Sequence, residues 1–194
     1  FMPANANNYQ ITSWCRRLIS DHVHPGAFCI DATMGNGNDT ELLCRLAGPS
    51  GSVLAFDIQP EAIAHTNARL EAAFPDGPRN DRLILDSHAR LADYASPESA
   101  DCIVFNLGYL PGGDHHIATK TQTTLRALEQ SLTLLKKGGL LSVCIYSGGD
   151  TGFEEKDAVL DWLSRLDPRC YLVLVTQYYN RPNNPPIPAA VIRL

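Results

Sequence analysis

The feature that most constrains this chain is the run Phe28-Cys29-Ile30-Asp31-Ala32-Thr33-Met34-Gly35-Asn36-Gly37-Asn38-Asp39-Thr40-Glu41. A short apolar strand ends in an acid, a Gly-x-Gly turn follows, and a helix begins. The glycines let the backbone come close to a ligand. A helix N-terminus presents N–H groups that have no partner within the helix. Asn38 with Glu41 reads as a capping box, which places the helix start at that point. The next apolar run, Ser52–Asp57, also ends in an acid. An acid there, about 20 residues beyond the glycines, is placed to hold ribose hydroxyls. A tight turn without a ligand is the plainer alternative. The pair of acids at these offsets favours a nucleotide-type cofactor.

Dinucleotide binders need a third small residue, Gly or Ala, where the helix packs on the strand. That position is Thr40 here. The fingerprint suits S-adenosylmethionine (SAM) better, because SAM lacks a pyrophosphate and carries an ammonium and a carboxylate. Asp31 suits the ammonium, and the Gly35–Gly37 turn with the helix start suits the carboxylate. The cofactor set is therefore Asp31, Thr33, Gly35, Asn36, Gly37, Asn38, Asp39 and Thr40, with Asp57, Ile58 and Gln59 at the end of the second strand and Ser87, His88 and Asn106 at later strand ends.

Strand and helix patterns alternate along the chain. A helix is expected at 8–23, with Ile11, Cys15, Leu18 and Ile19 on its apolar face, lying on or near the cofactor mouth. Strand 28–33, helix 39–47, strand 52–57 and helix 60–73 follow, the last opened by Pro60. Pro75-Asp76-Gly77-Pro78 breaks the chain before strand 82–86. Strand 101–106 precedes helix 120–136, which Gly138-Gly139 is expected to stop. Strand 140–146, helix 153–166 and strands 170–179 and 189–194 complete the pattern. Alternation through five strands gives a parallel doubly wound sheet. The short segment 180–188 joins the last two strands as an antiparallel pair. This is a Rossmann-like α/β plan in a single 1–194 domain: a mainly parallel seven-stranded sheet with a C-terminal antiparallel hairpin and helices on both faces.

In such sheets ligands sit at the carboxyl ends of the strands. Asp86-Ser87-His88 ends the third strand, where Ser87 and His88 either flank an adenine ring or cap a helix. Asn106-Leu107-Gly108-Tyr109 ends the fourth, where amino-group methyltransferases carry [DN]-P-P-[YFW]; the first and last positions match. Asn106 can accept hydrogen bonds from a substrate amine, so that its lone pair faces a methyl group, and Tyr109 can stack on a base. Asp114 or His115, just beyond, is the candidate proton acceptor. Gly108 and Tyr146 are placed to touch substrate. Asn184-Pro185-Pro186-Ile187 looks like the same amine motif but falls in the last loop without an aromatic, and reads as a rigid lining of the substrate mouth.

The segments Asp31–Thr40, Phe56–Gln59, Asn106–His115, Thr123-Thr124 and Glu154-Glu155-Lys156 together resemble the bacterial rRNA methylase family typified by YtqB. Members of that family have been linked, under the name MnmM, to methylation of the tRNA wobble uridine. The resemblance runs along nearly the whole chain, and Asn106–His115 is its most specific part. It implies a class I methyltransferase fold, SAM as methyl donor and RNA as substrate. For MnmM-like members the implied reaction is methylation of the aminomethyl nitrogen of 5-aminomethyl-(2-thio)uridine in the tRNA anticodon; the family's other name points to rRNA. Many members carry Gly-His-x-x-Gly after the fifth strand. Here Gly148-Gly149-Asp150-Thr151-Gly152 has no histidine, which leaves the exact substrate open.

Composition bounds these readings. With 194 residues, 44% of them hydrophobic, the chain can bury a full core. No apolar run is long enough to span a bilayer, and Met2-Pro3-Ala4-Asn5 does not read as a signal peptide. A cytoplasmic location is expected. The six cysteines form no C-x-x-C pair and read as reduced thiols, so no metal site is expected. A net charge of −5 argues against broad nucleic-acid binding but leaves room for a local basic cluster. Arg16, Arg17 and Arg181 are the nominated phosphate contacts. Two other activities fit the same residues: a small-molecule N-methyltransferase, favoured by the acidic charge, and a non-catalytic SAM-binding subunit. A homodimer is compatible with all three.

Overall fold

The computed structural model describes residues 9–77, 79–108, 120–147 and 152–194. The elements are α1 (Ile11–His22), β1 (Phe28–Asp31), α2 (Asn38–Ala47), β2 (Ser52–Asp57), α3 (Pro60–Ala73), β3 (Asp81–Leu85), β4 (Ala100–Leu107), α4 (Thr121–Leu134), β5 (Leu135–Ile145), α5 (Gly152–Ser164), β6 (Tyr171–Val175) and β7 (Ile187–Arg193). A 3-10 segment, His88–Asp93, lies between β3 and β4. Pro60 opens α3, where its missing N–H costs no helical bond.

The strands form one sheet in the order β3-β2-β1-β4-β5-β7-β6. Strands β1 to β5 pair in parallel. The last strand, β7, takes the inner place between β5 and β6 and runs antiparallel to both. Its composition explains the choice. Ala189, Ala190 and Val191 are buried, whereas β6 carries exposed Leu172 and Leu174 and lies at the edge.

Alternation along each strand divides the core between the two faces. Ile30, Phe56, Ile103, Phe105 and Val143 pack beneath α4 and α5 with Leu128, Leu134, Val159 and Leu163. Cys29, Val53, Cys102, Val104 and Leu140 pack beneath α1 and α2 with Ile19, Leu43 and Ala47, joined by Leu70 of α3. Each fully buried Leu, Ile or Phe side chain contributes roughly 1.5–3 kcal/mol.

Three local expectations are corrected. The capping box does not form: Gly37, with a left-handed φ of 77°, is the residue before α2, and Asn38 is the first helical residue. Glu41 turns away to Arg45 and Arg69. The glycine pair Gly138-Gly139 does not stop α4. The helix ends at Leu134, because Leu135 goes extended and pairs with Ala100 of β4. The register then shifts between Ala100 and Cys102, and Gly138, at φ 77°, lies in this irregular stretch of β5. Lys136 belongs to that strand and pairs with Asp101 at 3.0 Å. Strand β6 is also shorter than expected, ending at Val175.

Candidate functional site

Strand order reverses between β1 and β4, which opens a crevice at their carboxyl ends. The two strands are tied there by the Asn106 N–H, which donates to Thr33 Oγ1 at 2.7 Å. The Gly35–Gly37 turn beside it is held from the end of β2 and from α3. Gly35 N–H donates to Asp57 Oδ2 at 3.0 Å. Thr66 Oγ1 on α3 donates to the Gly35 carbonyl at 3.1 Å, and Arg69 Nε to the Asn36 carbonyl at 2.8 Å. His65 Nδ1 meets Asn36 Oδ1 at 3.2 Å. Both Gly35 and Gly37 have positive φ, at 50° and 77°. The turn is thus held by the protein's own side chains, with the N–H groups of the first turn of α2, which have no partner within the helix, next to it.

The carboxylates of this region divide into distinct tasks. Asp31 is fully buried. Its Oδ2 accepts from Thr40 Oγ1 at 2.6 Å and its Oδ1 from Thr33 N–H at 3.2 Å. Burial, reinforced by the nearby charge of Asp39, pushes its pKa up to about 7. Asp31 and Thr40 therefore brace the floor and do not line the cavity. Asp39 does line it. Asp57 Oδ1 accepts from Gln59 N–H at 3.0 Å, so both of its oxygens hold backbone. Burial raises its pKa. Ile58, next to it, is exposed.

At the third strand end the capping alternative is realised. Ser87 Oγ accepts from Ala89 N–H at 3.2 Å. Asp86 accepts from Tyr94 Oη at 2.6 Å and pairs with Arg90. His88 tilts against Phe105, and burial lowers its pKa.

A cavity of about 680 Å³ opens over the crevice. Its walls include Thr33, Met34, Gly35, Asn36, Asn38 and Asp39 from the Gly-x-Gly segment and the start of α2, and Asn106 and Leu107 from β4. Helix α1 adds Thr12, Cys15 and Arg16; the β5 end adds Cys144, Tyr146 and Ser147; the last loop adds Asn183, Asn184 and Pro186. That loop does line the mouth. Asn183 and Asn184 both adopt left-handed φ, and the Asn184 carbonyl faces Ser147 Oγ at 3.5 Å. Gly108, at φ 133°, passes so close to Tyr146 that an added Cβ would lie 3.3 Å from the Tyr146 Cβ.

Cys15 and Cys144 were not expected here. The Cys15 and Tyr146 side chains hydrogen-bond to Cys144, and these bonds pull the Cys144 thiol below its usual pKa despite burial. The local pattern put Cys15 on an apolar stripe, but Thr12, Cys15 and Arg16 share helical spacing and form a polar edge toward the cavity. Cys144, Thr66 and Arg69 carry no local signal, since strand and helix partners from distant segments create their roles. Of the nominated arginines, Arg16 lines the cavity, while Arg17 and Arg181 are exposed and outside its walls. Tyr109, Asp114, His115 and the 148–151 segment lie outside the described residues. Among the described residues no helix is long and apolar enough to cross a membrane, and no cluster of His, Cys, Asp and Glu could hold a metal ion.

Comparisons place this geometry among known proteins. The Arabidopsis thaliana protein "tRNA (mnm(5)s(2)U34)-methyltransferase, chloroplastic" is 37% identical over 171 residues, which cover 84% of this chain and 62% of that protein. The chain thus spans less than two thirds of this relative's length. A Clostridium thermocellum structure described as a "putative rRNA-methylase" superposes with a TM-score of 0.89 at 41% identity, covering 95% of this chain and 98% of the other. A Streptococcus mutans "putative methyltransferase" solved in complex with SAH superposes with a TM-score of 0.84 at 36% identity, over 94% and 97% of the two chains. Residues 53–192 match the family described as "Putative rRNA methylase". The seven-stranded class I architecture, the Gly-x-Gly turn and this match together make the chain a member of that rRNA methylase family.

Proposed function

We propose that this chain is a SAM-dependent RNA N-methyltransferase that methylates the aminomethyl nitrogen of 5-aminomethyl-(2-thio)uridine at the tRNA wobble position. The observation that carries the reading is the meeting of Asn106 with the cofactor turn across the strand switch point. An amine-orienting side chain there stands beside the place where a methyl donor would lie.

The residues present fit SAM. The Gly35–Asn38 wall and the α2 N-terminus suit its carboxylate, and Asp39, not the buried Asp31, is the acid presented to its ammonium side. Asp57 stands at the β2 end with lone pairs left for a ribose beyond its two backbone bonds. When bound, SAM supplies a sulfonium-activated methyl group. The protein's task is then alignment and exclusion of water. Asn106 orients a neutral amine, and α1 with the 183–186 loop encloses it. Tyr109 as stacking platform and Asp114 or His115 as proton acceptor rest on their place in the Asn106–His115 motif. A base in an RNA loop can be splayed out to reach such a cavity. The Arabidopsis relative's name supports tRNA; rRNA, the family label, is the second substrate to test.

The test is nucleoside mass spectrometry of tRNA and rRNA incubated with protein and SAM. One added methyl group on the aminomethyl nitrogen of tRNA is expected. Asn106→Ala should keep SAM affinity near normal by calorimetry and lower turnover on the order of a hundredfold. Methylation of free amines but not RNA would establish the small-molecule activity instead. No transfer by the purified chain would leave the non-catalytic subunit.

A further inference from the structure

Asp39 touches Asn106 directly: Asn106 Nδ2 donates to Asp39 Oδ2 at 2.7 Å. The other carboxylate oxygen, Oδ1, stands 3.9 Å from Arg16 Nε. We infer that Asp39 is a positioning residue that sets which end of the Asn106 amide faces the reacting amine. The inference rests on the methyltransferase reading of the site above.

The reasoning is chemical. A primary amide has one donor end and one acceptor end of nearly the same shape, so packing alone does not choose between its two orientations. A carboxylate only accepts. Facing Asp39, Asn106 must present its NH2, and the planar amide then turns Oδ1 to the other side. Because both residues line the same cavity, Oδ1 is the atom the amide offers to it. An oxygen there accepts an N–H from the amine and leaves the nitrogen lone pair for the methyl carbon. The reversed amide would offer N–H to that lone pair and hold it away from the methyl group. The bond is charge-assisted, which strengthens the choice. The three side chains come from α1, α2 and β4, and the Asn106 N–H is separately held by Thr33 at 2.7 Å, so only the amide's rotation is left for Asp39 to decide.

Two measurements test this. First, in the ligand-free protein the Asn106 side-chain amide protons should exchange slowly by NMR in the wild type and at least tenfold faster in Asp39→Ala. Second, turnover on tRNA is compared at saturating SAM, so that any change in cofactor affinity drops out. Asp39→Ala should lose about as much kcat as Asn106→Ala, roughly ten- to a hundredfold. Asp39→Asn, whose amide can accept from Asn106 or donate to it and so no longer fixes the orientation, should recover only part of it. The double Asp39→Ala, Asn106→Ala variant should be no slower than Asn106→Ala alone, because Asp39 then has nothing to orient. Losses that multiply in the double variant, or wild-type turnover in Asp39→Ala beside an impaired Asn106→Ala, overturn the inference and leave the proposed function standing. Full activity of Asn106→Ala overturns both.

Discussion

Asp31 is a buried carboxylate whose pKa rises to about 7, so folding and protonation are linked through it. In the unfolded chain the same group titrates near its ordinary value of about 3.9. Between those two values the folded state holds more protons. Its contribution to stability is therefore greatest at low pH, falls as pH climbs through that window, and is constant above it. Asp31→Asn removes the titration, and the Thr40 hydroxyl can reverse to accept from the new amide. Relative to the wild type, the variant should gain stability between about pH 4 and pH 7, on the order of a few kcal/mol. Urea midpoints of the two proteins across this range give the measurement. An unchanged difference between them would show that Asp31 stays charged when buried. Burial likewise pushes the Cys29 and Cys44 thiols up to about 12.

At the scale of elements, the Gly-x-Gly turn depends on how closely α2 approaches α3. A Cβ on Gly37 would lie 2.8 Å from Thr66 Oγ1 and 3.0 Å from the Thr66 backbone, and Gly37 has φ 77°. Gly138 has the same φ with nothing within 4 Å. Both alanine variants carry the left-handed penalty of about 1–2 kcal/mol. Only Gly37→Ala must also force the helices apart, a further cost of about 1–3 kcal/mol. Thermal melts should therefore rank Gly37→Ala below Gly138→Ala, and calorimetry should show weakened SAM binding in Gly37→Ala alone. Equal melting points would show that α3 yields freely and does not hold the turn.

For the molecule as a whole, charge sets the terms on which the proposed RNA substrate can bind. A body with net charge −5 gains no general attraction to phosphate, so affinity must arise where cations gather near the cavity. Arg16 lines the mouth but is shared with Asp39; Arg17 follows on the same exposed side of α1, and Arg181 sits in the loop that closes the other side. Replacing all three by alanine should weaken tRNA binding and flatten the log–log salt dependence by roughly 0.7 for each phosphate that is no longer neutralised. Filter binding across a salt series reads both. An unchanged slope would move the RNA-binding surface elsewhere, with Lys120 and Arg126 next to test.

What the chain determines by itself is what local chemistry encodes. Apolar runs closed by Asp31 and Asp57, the Gly-x-Gly turn and Pro60 specify strand, turn and helix at short range, and five such units in succession leave a doubly wound sheet as the compact solution. The place of Asn106 at a strand end followed from the same pattern. Competition between distant partners decided the rest. Leu135 left α4 because a neighbouring strand claimed its backbone, Gly37 displaced Asn38 from the cap because α3 grips the turn, and Asp31 was sealed under the floor by Thr40. Asp39 acquired its carboxamide partner, and Cys15 its place on the cavity wall, only when α1, α2, β4 and β5 converged. Periodicity assigns a residue to a face, but contacts between segments far apart in sequence exist only after the sheet has closed.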